Sequence, residues 1–264
     1  MSENQDSCHL AQRYLAACAI ARCAGKLALR YFADLSQLTI EVKGIQDVTS
    51  KADHDVEELI ISNLAQSFPE DGFLAEERGG VAGSQFWVID PIDGTSNFVR
   101  GIPFFCIAIA YVLERQIEIG IVYDPVADEL FAARRGCGAT CNGKPIQVSK
   151  CSELAKATVT FDFHSKTPID RCLTITRTLL EAHCNTRSLG AGALAIAQVA
   201  DGHFDGYWNL HHYPWDALAG LLLVQEAGGW TSDFLVGKGL TEGNPVLVCT
   251  PGIRDTLIAA TGIR

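Results

Sequence analysis

The chain has 264 residues, of which 48% are hydrophobic, a composition that excludes intrinsic disorder and allows either one large core or two fused smaller ones. Its 21 lysines and arginines against 31 aspartates and glutamates give a net charge of −10. That charge argues against a surface that binds nucleic acid by neutralising phosphates, so no direct nucleic-acid binding is expected.

Targeting and redox signals are weak along the whole sequence. Residues 1–6 lack the basic start and apolar stretch of a secretory signal. The longest wholly apolar run, 104–113, is too short to cross a bilayer. The ten cysteines are scattered rather than spaced like a disulfide framework. We therefore expect a cytoplasmic protein with reduced thiols and no membrane segment.

The first half is predicted to contain two helices and one sheet. Apolar residues at helical spacing predict helices over 7–34 and 53–68, with a strand over 38–42 and a polar loop over 43–53 between them. Asp53 could cap the second helix or belong to a functional loop. The remaining strands are predicted over the following residues, the last three as an antiparallel meander: 72–75, 86–89, 104–113, 116–123 and 129–134.

The second half is predicted to alternate strands and helices. The strands are expected over 157–161, 186–189, 207–210 and 246–249, and the helices over 170–183, 191–200, 216–226 and 254–260. Glycines and a proline over 136–145 end the first half near residue 150. The sequence therefore predicts an α/β (α+β) protein of two fused subdomains, 1–150 and 151–264, with a cleft between them.

The strand over 86–89 runs directly into two carboxylates, Asp90 and Asp93. Because Pro91 cannot donate a ladder hydrogen bond, the strand is predicted to end where Asp90 emerges. An ordinary strand followed by an Asp-Gly turn would give the same local pattern.

A phosphate site is predicted just after these carboxylates. Gly94 permits a tight turn, and if Thr95 or Ser96 caps a short helix, the amides of these three residues would bind an anion. Carboxylates beside an anion site are compatible only if divalent cations lie between them.

Residues 90–98, Asp-Pro-Ile-Asp-Gly-Thr-Ser-Asn-Phe, closely resemble the first signature of the inositol monophosphatase family. Residues 215–220, Trp-Asp-Ala-Leu-Ala-Gly, resemble the second signature, which continues through 226–229, Glu-Ala-Gly-Gly. Residues 75–77, Ala-Glu-Glu, lie where the family carries a metal-binding glutamate. The resemblance spans most of the chain and implies the layered α-β-α-β-α sandwich of the inositol monophosphatase and fructose-bisphosphatase fold.

The resemblance also implies two or three Mg²⁺ ions. The first ion would bind Glu76, Asp90 and the carbonyl of Ile92, and the second would bind Asp90, Asp93 and Asp216. A third, weaker ion would lie near Glu76. Oxygen ligands of this kind suit Mg²⁺, whereas the histidine and thiolate ligands that favour zinc are absent from these motifs. Taken alone, Asp216 could simply be an acidic residue at a helix start.

The activity that the resemblance implies is hydrolysis of a phosphate monoester by in-line attack of a metal-activated water. Catalytic roles fall to Asp53 and Thr95, which would orient the water and take its proton, and to Glu76. The resemblance also implies inhibition by lithium and a homodimer, both of which are common in the family. The residues expected to bind the substrate are Asp93, Gly94, Thr95, Ser96, Gly190, Ala191, Asn209 and Asp216.

The alcohol part of the substrate is left open by the sequence. Inositol-specific members carry a glutamate seven residues before the aspartate of the second signature, and this chain has Asn209 there. Inositol 1-phosphate is therefore one candidate beside histidinol phosphate, sugar phosphates and nucleotides. A regulatory protein associated with the transcription machinery is an alternative of another class. Adjacent His211 and His212 are expected to point to opposite faces of a strand, and so not to chelate a metal together.

Overall fold

The computed structural model describes residues 3–44, 47–80, 83–163 and 167–264. Its α-helices are α1 (Glu3–Phe32), α2 (Lys51–Ser67), α3 (Thr95–Phe98), α4 (Ile169–Glu181), α5 (Gly192–Ala200), α6 (Pro214–Glu226), α7 (Gly239–Glu242) and α8 (Arg254–Thr261). Its strands are β1 (Ile40–Gly44), β2 (Asp47–Ser50), β3 (Gly72–Ala75), β4 (Gly79–Gly80), β5 (Gln85–Asp93), β6 (Cys106–Leu113), β7 (Gln116–Asp124), β8 (Glu129–Arg134), β9 (Ala139–Cys141), β10 (Lys144–Pro145), β11 (Thr158–Phe161), β12 (Asn185–Arg187), β13 (Gly206–His212), β14 (Trp230–Thr231) and β15 (Asn244–Cys249).

Two sheets form the β layers. The larger has eight strands in the order β10-β9-β8-β7-β6-β5-β3-β4, and only its β3–β5 pair is parallel among the described pairs. The smaller has five strands in the order β12-β11-β13-β15-β14. The predicted meander of β6, β7 and β8 is confirmed, because these strands pair consecutively and antiparallel.

Three hydrophobic clusters join the sheets and helices into five layers. Residues of α1 and α2, such as Ala21 and Ile60, pack on one face of the larger sheet. Its other face packs against α5 and α6, where Leu222 is fully buried, and the smaller sheet covers the far side of these two helices. Helices α4 and α8 then cover the smaller sheet, with Leu179 and Leu257 fully buried. The predicted α-β-α-β-α sandwich is therefore confirmed.

The prediction that the first signature's strand ends at Asp90 is wrong. Strand β5 continues to Asp93, and its pairing with β6 shifts register between Asp90 and Asp93 before Asp93 pairs with Cys106. Pro91 lies inside this irregular step, where it is not required to donate a regular ladder hydrogen bond. The shift keeps both carboxylates on a strand instead of on a free loop.

The polar loop predicted over 43–53 is also wrong in part. Strand β2 occupies Asp47–Ser50 and pairs antiparallel with β1, and α2 begins at Lys51. Residues 45 and 46 of the predicted loop lie outside the described residues. The prediction failed because a short exposed hairpin has little apolar alternation to reveal it; Val42 on β1 is 76% exposed.

All ten cysteines are free thiols. Within the described residues, no helix is both long and apolar enough to cross a bilayer. The division into subdomains at residue 150 stays a prediction.

Candidate active site

A cavity of about 430 Å³ lies where the end of β5 and helix α3 meet the ends of β11 and β13 and the first turns of α5 and α6. It brings together ten of the twelve predicted site residues, although they come from distant parts of the chain. These ten are Glu76, Asp90, Ile92, Asp93, Gly94, Thr95, Ser96, Gly190, Asn209 and Asp216. Six further residues line it: Asp162, Phe163, Ser188, Gly192, His211 and His212.

Two predicted residues do not line this cavity. Ala191 has a buried side chain, and a Cβ added to Gly94 would lie 2.9 Å from its methyl group. Any contact between Ala191 and substrate would therefore fall to its backbone. Asp53 has no exposed surface and lies behind Thr95, so its predicted contact with the attacking water would also depend on Thr95.

Asp53 takes part in the cap of α2 and also contacts Thr95, which lines the cavity. Ser50 is the N-cap of α2, and its N–H and hydroxyl donate to Oδ2 of Asp53 at 2.8 Å and 2.6 Å. The other oxygen, Oδ1, lies 3.0 Å from the hydroxyl of Thr95. The same hydroxyl lies 3.0 Å from the carbonyl oxygen of Ile92. Burial raises the pKa of Asp53, which makes its carboxylate a stronger proton acceptor.

The first turn of α3 presents backbone amides to the cavity. The N-cap is Gly94 with a φ of 93°, and not Thr95 or Ser96 as predicted. Glycine is suited to this conformation because it has no Cβ. Helix geometry leaves the N–H groups of Thr95 and Ser96 without intrahelical partners. These two amides can therefore bind an oxyanion.

The negative charge of Glu76 acts on the buried carboxylate of Asp90. Asp90 is 2% exposed, and one of its oxygens accepts a hydrogen bond from the N–H of Ile92 at 3.0 Å. Burial first, and then the negative charge of Glu76, raise its pKa well above the usual range. Burial and the charge of Asp216 do the same to the pKa of Glu76, and Lys43, at 3.7 Å, partly offsets them. Such repulsion is relieved when cations bind between the carboxylates.

Asp93 is bound to the N-terminus of α5. Its carboxylate accepts hydrogen bonds from the N–H groups of Gly192, Ala193 and Leu194 at 3.2 Å, 2.8 Å and 3.3 Å. These donors and the helix dipole favour the ionised form. Burial outweighs them, however, and raises the pKa of Asp93 to about 7.

Asp216 is held by the residues just before it. Its Oδ2 accepts a hydrogen bond from the N–H of Tyr213 at 3.1 Å and lies 3.0 Å from Nδ1 of His212. The other ring nitrogen of His212 is hydrogen-bonded to the hydroxyl of Tyr207. His211 and His212 both line the cavity, at the point where the register of β13 shifts between Asn209 and His212. That their side chains point to opposite faces stays a prediction.

The four acids fit hard cations by donor chemistry, but they are not preassembled. Among the described side chains, no group of three acids, histidines or cysteines is arranged to hold one ion. The reason is that Asp90, Asp93 and Asp216 each direct an oxygen at protein N–H groups. Each carboxylate can still offer further lone pairs, and the Ile92 carbonyl adds a fifth oxygen ligand. Metal binding is therefore expected to require small side-chain movements.

Asn97 joins the two sides of the cavity. Its side-chain amide donates to the carbonyl of Phe104 at 2.9 Å and to that of Leu189 at 2.8 Å. A Cβ added to Gly190, which has a φ of 79°, would lie 3.1 Å from the same amide. Asn97 thus fixes α3 against the segment that leads into α5. Its position within the first signature was the available signal, but the sequence analysis assigned it no role.

Asn209 and Asp162 line the same cavity as the four acids. Asn209 is 2% exposed; its amide oxygen accepts from the N–H of His211 at 3.0 Å, and its nitrogen lies 3.3 Å from the hydroxyl of Tyr207. Its contact with substrate stays a prediction. Asp162, which the sequence analysis missed, directly follows β11 and so carries the same signal as Asp90, an acid at a strand end.

Stability of the metal-free chain should fall as pH rises from about 4 to about 7. Asp93 has an ordinary pKa of 3.8 and a folded value of about 7, so the folded chain retains a proton that the unfolded chain has released. Because ions bind the deprotonated carboxylates, millimolar Mg²⁺ should raise the thermal midpoint more at about pH 8 than at about pH 5. Thermal unfolding with chelator and with Mg²⁺ tests this, and an Mg²⁺ effect independent of pH would contradict it.

The profile of the inositol monophosphatase family matches residues 9–262. An inositol-1-monophosphatase of Mesorhizobium japonicum is 35% identical over 242 residues, which cover 90% of this chain and 91% of that protein. A Nus factor SuhB of Pseudomonas aeruginosa is 38% identical over 223 residues, which cover 81% and 82% of the two chains.

Solved structures of the same fold extend the comparison. The extragenic suppressor protein suhB of Bartonella henselae has a TM-score of 0.88 and 32% identity, with 93% of this chain and 96% of that chain covered. An IMPase/NADP phosphatase that was solved with Mg²⁺ and phosphate has a TM-score of 0.82 and 25% identity, with 96% and 95% covered. Sequence and structure therefore agree along almost the whole chain.

Proposed function

This chain belongs to the inositol monophosphatase family, a family of metal-dependent phosphatases, and we propose on that premise that it hydrolyses a small phosphate monoester with Mg²⁺ by in-line attack of water. The observation that carries the proposal is the convergence of four carboxylates, the Asp53–Thr95 pair and the first-turn amides of α3 at one cavity. These are the groups that phosphoryl transfer to water needs: cation ligands, a proton acceptor and an anion site.

Glu76, Asp90 and the Ile92 carbonyl would hold one ion, and Asp90, Asp93 and Asp216 would hold another. A third, weaker ion near Glu76 is part of the proposal. Bound Mg²⁺ supplies positive charge that offsets the charge of the phosphate and favours a deprotonated nucleophile. The donor set, all carboxylate and carbonyl oxygens, supports this choice of metal.

The chain's own residues would position water and phosphate. The hydroxyl of Thr95 lies at the cavity wall and would orient the attacking water, while Asp53 behind it would accept the proton through that hydroxyl. The N–H groups of Thr95 and Ser96 would bind the phosphate oxygens. Asp93, Gly190 and Asn209 line the cavity and would contact the alcohol.

A phosphate-release screen across phosphorylated alcohols tests the proposal. It should include inositol 1-phosphate, histidinol phosphate, sugar phosphates and nucleotide phosphates, each with Mg²⁺ and with chelator. At least one ester should be hydrolysed only with Mg²⁺. Absence of Mg²⁺-dependent release from every ester would overturn the proposal.

Lithium should inhibit the reaction. Li⁺ is a small hard cation with one positive charge, so it can occupy an oxygen site meant for Mg²⁺ without supplying the same charge. If it enters after hydrolysis and retains the product phosphate, inhibition will be uncompetitive with substrate. Steady-state rates at several Li⁺ concentrations measure this, with K⁺ as the matched control. Insensitivity to Li⁺ would show that the second ion site departs from the family's.

A homodimer and a cytoplasmic location complete the proposal, both supported by family membership alone. Light scattering of the purified chain measures its mass in solution, which should be twice the 28.5 kDa of one chain.

A regulatory role is the second candidate, because a relative 38% identical is named a Nus factor. A complementation experiment in cells distinguishes hydrolysis from the regulatory role. A chain that carries Asp90→Asn should fail to replace the wild type if hydrolysis is the function. It should succeed if binding to the transcription machinery suffices.

A further inference from the structure

Asp162 is an acid in the cavity that is neither a proposed metal ligand nor part of the proposed catalytic pair. It follows β11, and its Oδ1 accepts hydrogen bonds from the N–H of Gly190 at 2.9 Å and from the hydroxyl of Ser188 at 3.1 Å. These bonds fix the carboxylate beside the segment that leads into α5. Its position is therefore set by the fold.

The second oxygen of Asp162 has no such partner. Oδ2 is buried, yet it makes no hydrogen bond to any residue that the structure describes. The residue lines the same cavity as the four metal-site acids. A buried carboxylate oxygen without a donor costs free energy that a bound donor would recover.

The charges around the cavity show which donor fits. Its lining contains five carboxylates, and none of the described lining residues is lysine or arginine. Two Mg²⁺ ions would neutralise Glu76, Asp90, Asp93 and Asp216, and would leave Asp162 without a bound cation. His212 also lines the cavity, but its two ring nitrogens are hydrogen-bonded to Tyr207 and Asp216, so it donates no hydrogen bond to Asp162.

We propose that Asp162 determines specificity by pairing with an ammonium group on the alcohol, so that the preferred substrates are phosphate esters of amino alcohols. The inference rests on the proposed phosphatase function and adds the class of alcohol to it. A hydroxyl donor would satisfy Oδ2 but would leave the negative charge in place. An ammonium group would satisfy Oδ2 and would also neutralise the negative charge. Hydrogen bonds between charged partners are about twice as strong as those between neutral ones.

A matched series of esters tests the pairing. ω-Aminoalkyl phosphates and ω-hydroxyalkyl phosphates of two, three and four carbons differ only in the terminal group. For at least one chain length, kcat/KM should be about tenfold or more higher for the amine, as expected for a charge-assisted hydrogen bond. A ratio near one at every length would overturn the inference.

Two variants test whether Asp162 is responsible. Asp162→Asn keeps an oxygen for Gly190 and removes the charge, so the amine-to-hydroxyl ratio of kcat/KM should fall to about one. Asp162→Glu keeps the charge on a longer side chain, so the preferred amine should become one carbon shorter. A ratio that survives Asp162→Asn, or a preferred length unchanged in Asp162→Glu, would overturn the inference.

Asp170→Asn is the matched control, because it removes the same charge from an exposed position at the start of α4. It should leave the amine-to-hydroxyl ratio of kcat/KM unchanged. A similar fall of this ratio would mean that net charge, and not Asp162, sets the preference for the amine. The experiment distinguishes failure of the phosphatase function from failure of the role proposed for Asp162. No Mg²⁺-dependent release from any ester contradicts the phosphatase function, whereas release without an amine preference contradicts only the role of Asp162.

Discussion

Replacement of Asp90 by asparagine is expected to lower kcat/KM for every phosphate ester by about a thousandfold or more. Asp90 is proposed to bind both ions, so the change removes charge from each ion site and keeps the shape of the side chain. Its oxygen can still accept the hydrogen bond that the N–H of Ile92 donates at 3.0 Å. Steady-state kinetics at saturating Mg²⁺ measures the loss.

The same variant should fold at least as stably as the wild type when Mg²⁺ is absent. Burial and the negative charge of Glu76 raise the pKa of Asp90, which means that the ionised residue is destabilised in the folded chain. An amide relieves this repulsion, so the thermal midpoint in chelator should hold or rise at neutral pH, while the increase caused by Mg²⁺ should shrink. Asp170→Asn is again the control. More than a tenth of wild-type activity would refute the assignment of Asp90.

Replacement of Asp53 by asparagine is expected to lower kcat by about a hundredfold to a thousandfold, the range lost with a general base. Asparagine cannot take the proton that the wild-type carboxylate would accept through Thr95. KM and the Mg²⁺ response should change little, because Asp53 does not line the cavity. The activity of the wild type should decline as pH falls through the raised pKa of Asp53. The variant should lack this part of the decline and keep only the part caused by protonation of the metal ligands.

Ser50→Ala separates catalysis from the capping role of Asp53. It removes the hydroxyl that caps α2 and donates to Asp53 at 2.6 Å, but it leaves the bond to Thr95. Loss of a helix cap costs about 1 kcal/mol of stability. Because the lost hydrogen bond had lowered the pKa of Asp53, the acid limb should move to higher pH while the maximal rate stays within about tenfold of wild type. An unshifted limb would show that Asp53 is not the titrating base.

The sequence was most informative where charged residues interrupt apolar periodicity. Asp90, Asp93 and Asp216 could be placed at one site because each was predicted to follow a strand or to begin a helix, and the family resemblance joined them. Asp162 has the same local pattern after β11 but belongs to no matched motif, so nothing in the sequence singled it out. Its unpaired oxygen is a property of packing, which periodicity does not report.

Local backbone features were the least predictable. The register shift inside β5 depends on how β6 pairs with it, and the sequence around Pro91 alone suggested a strand end. A similar shift inside β13, between Asn209 and His212, lies at the cavity wall. Neither shift could be predicted, because bulges are set by the partner strand as well as by the residues that form them.

The bonds that join Asp93 to the amides of α5, and Asn97 to the carbonyl of Leu189, leave neither half of the chain with a complete site. In evolutionary terms, the halves are not interchangeable parts, since a recombined chain would have to restore both connections at once. New activities in this lineage should therefore arise through single substitutions in the cavity wall, at positions such as 162 and 209, while the halves are inherited together.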